Sequence, residues 1–212
     1  MTTLLLIRHG ESVANADKVF VGHTDVDLSP KGELQAQKTA EFIKENYKVD
    51  KVYASDLKRA YRTGEFVANA FGLDVIADSG LREIYAGSWE GEKFQTLLET
   101  NADYAVWKTD IGASCATNGE SVRDVWKRIH FKLLEIAILN EGKTIAIATH
   151  ATPIRCMTAR CLGMGLSGMK ELPWAVNASV TEITFENDIF MVTKGPQYKH
   201  LQGLAVDVPK NV

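Results

Sequence analysis

The apolar run Leu4, Leu5, Leu6, Ile7 breaks without transition into Arg8, His9, Gly10 and Glu11, and this junction constrains the fold more than any other stretch. A short, uninterrupted apolar run fits a strand covered on both faces, as in parallel sheets sandwiched by helices. Ligands of such sheets bind beyond the carboxyl ends of the strands, so polar groups placed directly after one are candidates for chemistry. The pattern recurs at Ile145, Ala146, Ile147 and Ala148, which run into Thr149 and His150. Two histidines delivered by two buried strands can face each other across one crevice. Arg8 sharpens the expectation, because a guanidinium beside an imidazole is unfavourable unless an anion is expected there.

The rest of the chain alternates helical and strand signals. Ser29 and Pro30 supply an N-cap and a first-turn proline for a helix running to about Asn46, with a core stripe at Ala36, Ala40, Ile43 and Tyr47. Lys51 to Ala54 reads as a short strand. A helix from near Leu57 to Phe71 follows, stopped by Gly72, and Asp74 to Ala77 gives a third short strand. Ser121 and Asp124 form a capping box ahead of the stripe Val122, Trp126, Ile129, Leu133, Ile136. Thr152 and Pro153 open another helix, ended near Gly163. Val180 to Phe185 and Ile189 to Thr193, joined through Asn187 and Asp188, read as a hairpin. This order predicts an α/β three-layer sandwich, a mostly parallel sheet with one antiparallel strand and helices on both faces. The segment 91–118 carries Phe94, Leu97, Leu98, Tyr104 and Trp107 without a strand signal, and is expected to form a helical lid insertion over the crevice mouth.

No Pro-, Gly- or Ser-rich linker divides the 212 residues, so 1–212 is read as one domain; a chain of this size can bury roughly 70% of its unfolded surface. The net charge of −3, with no basic stripe, argues against nucleic acid and anionic membranes as partners. No apolar run approaches the length of a signal or membrane segment, so a cytoplasmic enzyme is expected. Cys115, Cys156 and Cys161 are odd in number and lack the close pairs of a zinc site, which reads as reduced structural thiols. Neither an aspartate cluster nor paired histidines call for a metal, and no cofactor is expected. A homodimer stays open.

The string Arg8-His9-Gly10-Glu11, followed by Asn15, resembles the opening signature of the histidine phosphatase superfamily, which includes the cofactor-dependent phosphoglycerate mutases. Gly22 with Asp25, Leu28, Ser29 and Gly32 is similar to a second stretch of that family. Ser55-Asp56-Leu57, then Arg59-Ala60 and Thr63, is similar to a third. Leu81-Arg82-Glu83 with Gly87, Trp89, Glu90 and Gly91 looks like the acid-bearing segment of the phosphatase branch, and Gly119-Glu120-Ser121 precedes a helix as it does there. One departure stands out. The family usually has glycine after its second histidine, whereas His150 is followed by Ala151, Thr152 and Pro153. The alanine methyl restricts backbone approach to a phosphate, and Thr152 offers either a hydroxyl or a helix cap.

Phosphoryl transfer spreads charge over equatorial oxygens, so it needs an in-line nucleophile and several fixed donors. The resemblance implies His9 as the nucleophile of a phosphohistidine intermediate and Glu83 as the acid that protonates the leaving oxygen, then activates water. It also implies Arg8, Arg59, Asn15, Gly22, Ala151 and a protonated His150 around the phosphate. Glu11 is expected to lend a supporting hydrogen bond. Arg62, Arg82 and Arg155 are read as ion-pair partners or supports. His130 and His200 match no catalytic position, and His23 lies in a loop within reach of the pocket.

The expected function is a metal-independent phosphomonoesterase acting on a small phosphorylated metabolite. A phosphoglycerate mutase would use the same residues, but the short chain and the glycine-tryptophan-glutamate-glycine character after Glu83 favour the phosphatase. A non-catalytic phosphate-binding module would lack the nucleophile or the acid, and neither is missing.

Overall fold

A computed structural model of the chain describes residues 1–204, so the last eight positions of the single-domain reading lie outside the described residues. Six strands form one sheet in the order β3-β2-β4-β1-β5-β6. They are β1 (Thr2–Arg8), β2 (Lys51–Ala54), β3 (Val75–Ala77), β4 (Thr144–Thr149), β5 (Val180–Glu186) and β6 (Ile189–Gln197). β1, β2, β3 and β4 pair in parallel; β5 runs antiparallel to β1 on one side and to β6 on the other, so it is the one reversed strand. The β5–β6 turn is made by Asn187 and Asp188, both left-handed at φ 51° and 63°, as a two-residue hairpin of matching twist requires.

The helices cover both faces. α2 (Pro30–Asn46) and α3 (Lys58–Phe71) pack Ala40, Ile43, Val67 and Ala68 against Leu5, Ile7, Val52 and Ala146. On the other face α6 (Val122–Leu139) and α7 (Ala151–Cys161) bring Ile129, Leu133, Ile154 and Met157 against Leu4, Leu6, Ile145 and Ile147. The alternation of Leu4 and Leu6 with Leu5 and Ile7 between two cores is why β1 must be apolar throughout. Each such side chain contributes about 1.5–3 kcal/mol by leaving water.

Local signals account for the element ends. Ser29 accepts the Gly32 N–H at the start of α2, with Pro30 in its first turn, and Gly72 ends α3 at φ 66°. Ser121 and Asp124 close a reciprocal capping box on α6. Trp126 departs from the expected core stripe: Val125 takes the buried position, while Trp126 is only partly covered and lies under the Arg160 guanidinium at 4.6 Å. α7 begins at Ala151, with His150 as its cap residue and no side-chain cap, so Thr152 does not serve as one.

The 91–118 segment is helical, with α4 (Phe94–Thr100) and α5 (Ala102–Thr109). Leu97, Tyr104 and Trp107 belong to the same apolar core as α6 and α7, while Leu98 faces solvent. A further short helix, α1 (Val13–Ala16), was not foreseen. It is one turn long and held by a Ser12–Asn15 capping box. The three cysteines are free; burial pushes the Cys156 thiol far up and that of Cys161 to about 11. No helix among the described residues is long and apolar enough to cross a membrane.

Candidate active site

β1 and β4 are neighbours, yet the chain leaves them toward opposite faces, through α2 and α7 respectively. That arrangement opens a crevice beyond their carboxyl ends. Their register pairs Arg8 with Thr149, so His9 and His150 emerge at the same level, and the His9 N–H donates to the Thr149 carbonyl at 3.0 Å. The two rings stand 5.1 Å apart at 63°.

His9 is 5% exposed and borders a cavity of about 320 Å³. Its Nδ1 lies 2.6 Å from the Gly10 carbonyl, which can only accept, so Nδ1 carries the proton and Nε2 keeps its lone pair. Burial holds the His9 pKa well below 6.5, with the charges of Arg59 and Arg8 adding to it. The loop behind His9 is clamped against α3 and the start of α2. The Gly10 N–H donates to the Thr63 hydroxyl, and the Ser29 N–H donates to the Glu11 carbonyl. A Cβ on Gly10 would collide with the Gly32 carbonyl, and one on Gly32 with that of Glu11. Both glycines are therefore required by close backbone approach.

Arg8 and Arg59 also line the cavity. Arg8 donates to the Ala175 carbonyl at 2.6 Å; burial lowers its pKa to about 10, Glu83 opposing and Arg59 reinforcing the shift. Arg59, 1% exposed, donates to the carbonyls of Gly22 and Thr24 at 2.7 and 3.0 Å. Among the described residues neither guanidinium forms an ion pair, and the Nε of each is buried without a partner. Two cations brought together this way have no ion-pair partner in the wall, where the Glu83 carboxylate is engaged by backbone N–H groups, and they favour a bound anion.

Glu83 is 8% exposed and borders the same cavity. Its Oε1 accepts the Ile84 N–H at 2.8 Å, and its Oε2 accepts the Thr152 N–H in the first turn of α7 at 3.2 Å. Its backbone carbonyl accepts from Arg128 Nη2 and His23 Nε2. His23 thus supports the acid segment from outside the cavity wall. Arg128 also binds the Gly80 and Arg82 carbonyls and pairs with Glu120, so one side chain fixes the whole turn.

Asn15 lines the cavity with its Oδ1 occupied by the Ser12 N–H and Asn177 Nδ2. Its own amide nitrogen has no protein partner among the described residues and stays available as a donor. Ala151, the first residue of α7, and Thr152 lie in the wall. Glu11 lines it too, accepting the Ser29 hydroxyl at 2.9 Å and facing Lys31 at 3.5 Å.

One expectation needs correction, that for Gly22, and His150 lies deeper than the rest of the set. Gly22 is not part of the cavity wall. Its N–H donates to Glu90, its carbonyl accepts from Arg59, and a Cβ there would strike the Ile84 carbonyl, so it is a packing glycine that helps hold Arg59. His150 is fully buried and does not border the cavity. Its Nε2 sits 2.9 Å from the Ser55 hydroxyl and its Nδ1 is buried without a partner. Burial, Arg59 and His9 together hold its pKa well below 6.5, so it stands neutral beside His9 rather than as a fixed cation.

The remaining candidates fall outside the cavity. Arg62 pairs with Glu33 and Glu65, Arg82 with Asp56, and Arg155 donates to the Met169 and Leu172 carbonyls. His130 packs on Phe190, and His200 stacks on Phe42. Sequence reasoning missed Asn177, which donates to the His9 carbonyl at 3.1 Å, and Trp174 and Val176 in the wall. It gave Ser55 no role. Among the described residues, no three or more His, Cys, Asp or Glu are grouped to hold a metal ion.

The architecture is that of an α/β enzyme with its site at the switch point of the sheet. Residues 4–194 match the histidine phosphatase superfamily (branch 1), and the chain belongs to that superfamily. It is 32% identical over 82% of its length to phosphoglycerate mutase-like protein 4 of Arabidopsis thaliana, covering 77% of that protein. It is 30% identical to phosphoserine phosphatase 1 of Hydrogenobacter thermophilus, over all of both chains. Phosphoserine phosphatase from Entamoeba histolytica, solved in complex with 3-phosphoglyceric acid, superposes with a TM-score of 0.83 at 30% identity, over 95% of this chain and 100% of that one. Within the superfamily the chain is a phosphoric monoester hydrolase, and the mutase alternative is the less favoured.

Proposed function

We propose that the chain hydrolyses the phosphate monoester of a small metabolite through a phosphohistidine on His9. The observation that carries this reading is the pair Arg8 and Arg59, converging on the His9 cavity with no ion pair of their own. A phosphate dianion supplies the missing charge, and fork-shaped guanidiniums match its oxygens. The Nε2 lone pair of His9 attacks phosphorus while the bond to the alcohol oxygen breaks. Glu83 gives its proton to that oxygen. Water then attacks the phosphohistidine, its proton passes to Glu83, the P–N bond breaks, and inorganic phosphate and the free alcohol are released.

Asn15 donates its free amide N–H to a phosphate oxygen, and Ala151 contributes the helix-start backbone beside it. His150 is drawn into the reaction by the ligand: a dianion beside it favours its protonated form, and its unpartnered Nδ1 supplies the donor. Complexes of a relative with 3-phosphoglyceric acid support a small phosphorylated metabolite as the substrate class. The free thiols favour a cytoplasmic setting.

The test separates hydrolysis from mutase action. Supplied with 3-phosphoglycerate and a trace of 2,3-bisphosphoglycerate, the enzyme is expected to accumulate inorganic phosphate. Dominant formation of 2-phosphoglycerate with little phosphate would replace this reading by the mutase.

A further inference from the structure

The part of the cavity wall not committed to phosphate is almost wholly apolar. Phe20, Phe94, Trp107, Trp174 and Val176 form it. The rings are locked on one another. Phe20 meets Trp107 edge-on at 5.5 Å and Phe94 at 5.9 Å, while Trp107 and Trp174 stack at 5.8 Å and 29°. Arg155 lies 4.3 Å over Trp174 and fixes that ring from behind the stack.

This wall is built into the backbone. Val19 bridges to Lys93, the Phe20 N–H donates to the Glu92 carbonyl at 2.8 Å, the Gly91 N–H to that of Phe20 at 2.9 Å, and the Phe94 N–H to that of Lys18 at 3.1 Å. The segment that was expected to act as a lid is therefore tied edge to edge to the loop that follows β1. Its aromatic face is in place before a substrate arrives.

Charge is scarce here. Besides the phosphate-facing residues only Lys18 and Glu11 carry it, and the Glu11 carboxylate is already bound by Ser29 and Lys31. A zwitterionic alcohol such as serine would have to leave water for a wall with one uncommitted counter-charge. A flat ring instead finds edge-on and stacked partners, and the cavity is large enough for a phosphate with one ring system.

We propose that the leaving group this site is shaped for is aromatic: the substrate is the phosphate monoester of an aryl or arylmethyl alcohol, its ring seated among Phe20, Phe94, Trp107 and Trp174. The proposal rests on the phosphomonoesterase reading above. One water is consumed per turnover, giving the free aromatic alcohol and inorganic phosphate.

Benzyl phosphate and ethyl phosphate share an alkyl-oxygen leaving group, so comparing their kcat/KM isolates the ring; O-phospho-L-serine is the third substrate. A preference of at least about tenfold for benzyl over both others is expected. Phe94→Ala is expected to collapse the benzyl-to-ethyl ratio, and Phe94→Leu, which keeps apolar area and packing, to reduce it less. In parallel, tryptophan fluorescence titrations with benzylphosphonate and ethylphosphonate read binding without turnover. Equal kcat/KM values for benzyl and ethyl phosphate, or a preference for phosphoserine, overturn the aromatic site while leaving the phosphomonoesterase intact. No phosphate release from any ester, with benzylphosphonate still bound at least about tenfold tighter than ethylphosphonate, defeats the hydrolase reading and keeps the ring site. Equal binding of the two phosphonates in that case overturns both.

Discussion

The Ser55 hydroxyl and Nε2 of His150 are hydrogen-bonded at 2.9 Å, and this one contact joins the end of β2 to the histidine that stands beside His9. Both groups are fully buried, so no water can take the place of either. Ser55→Ala leaves an imidazole nitrogen without a partner, an imbalance worth about 1–3 kcal/mol. Chemical denaturation is expected to show that loss. The ring is also freed to turn, so kcat is expected to fall by about tenfold or more with a smaller change in KM. A stability loss with unchanged kcat would confine Ser55 to a structural role.

The neutral histidine pair has a consequence for pH. The native pKa values of His9 and His150 lie well below 6.5, whereas the unfolded chain titrates near it. Above that value neither state binds protons on these rings. Below it the unfolded chain takes them up and the native protein does not, so stability falls as pH drops, by up to about 2.7 kcal/mol per unit for the pair, until the native pKa values are reached. Urea melts between about pH 7.5 and about pH 5 should show this decline. A double His9→Asn, His150→Asn variant should flatten it, leaving the smaller contribution of His130 and His200, whose pKa values burial also lowers.

How much of this was legible in the sequence depends on what each residue answers to. The Leu4–Ile7 and Ile145–Ala148 runs, the Ser29 and Ser121 caps and the Asn187-Asp188 turn obey local rules, and they formed where those rules placed them. His9, Arg59 and Glu83 were legible through strand ends and motif spacing. Asn177 and Trp174 were not, because they lie in an irregular stretch between α7 and β5 with no periodicity, and reach the site only when β5 pairs with β1. Gly22 was placed against phosphate because sequence order cannot tell a residue that lines a cavity from one packed immediately behind its wall. The backbone pairing of residues 18–20 with 91–94 was not legible for a similar reason, because it is non-local.

The role proposed for Glu83 makes its effect depend on the leaving group. General acid catalysis contributes about 10²–10⁴-fold, and that help matters only when the departing oxygen is strongly basic. With an alkyl phosphate, Glu83→Gln is expected to slow phosphoenzyme formation by that factor. With p-nitrophenyl phosphate the first step should stay nearly normal while hydrolysis of the phosphoenzyme slows, giving a burst of nitrophenolate in stopped flow. An equal loss of burst rate for both leaving groups would remove Glu83 from the acid role.

Arg128 offers a complementary check on positioning. It holds the Gly80, Arg82 and Glu83 carbonyls and pairs with Glu120, without lining the cavity. Arg128→Leu is expected to destabilise the fold by about 1–3 kcal/mol, because it leaves the Gly80 and Arg82 carbonyls without a side-chain partner and Glu120 without its cation, while the Glu83 carbonyl keeps His23. Restored stability in an Arg128→Leu, Glu120→Leu double variant, measured by thermal melting, would assign most of that loss to the stranded carboxylate.

The central claim is that His9 carries the phosphoryl group, and rapid quenching of the enzyme with a radiolabelled phosphomonoester tests it most directly. Label is expected on the protein within one turnover, lost in acid and stable in base, as a phosphoramidate should be, and mapped to the peptide containing Arg8-His9-Gly10. His9→Ala should fold, take up no label and release no phosphate. Near wild-type turnover by His9→Ala, or label that survives acid, would contradict the account.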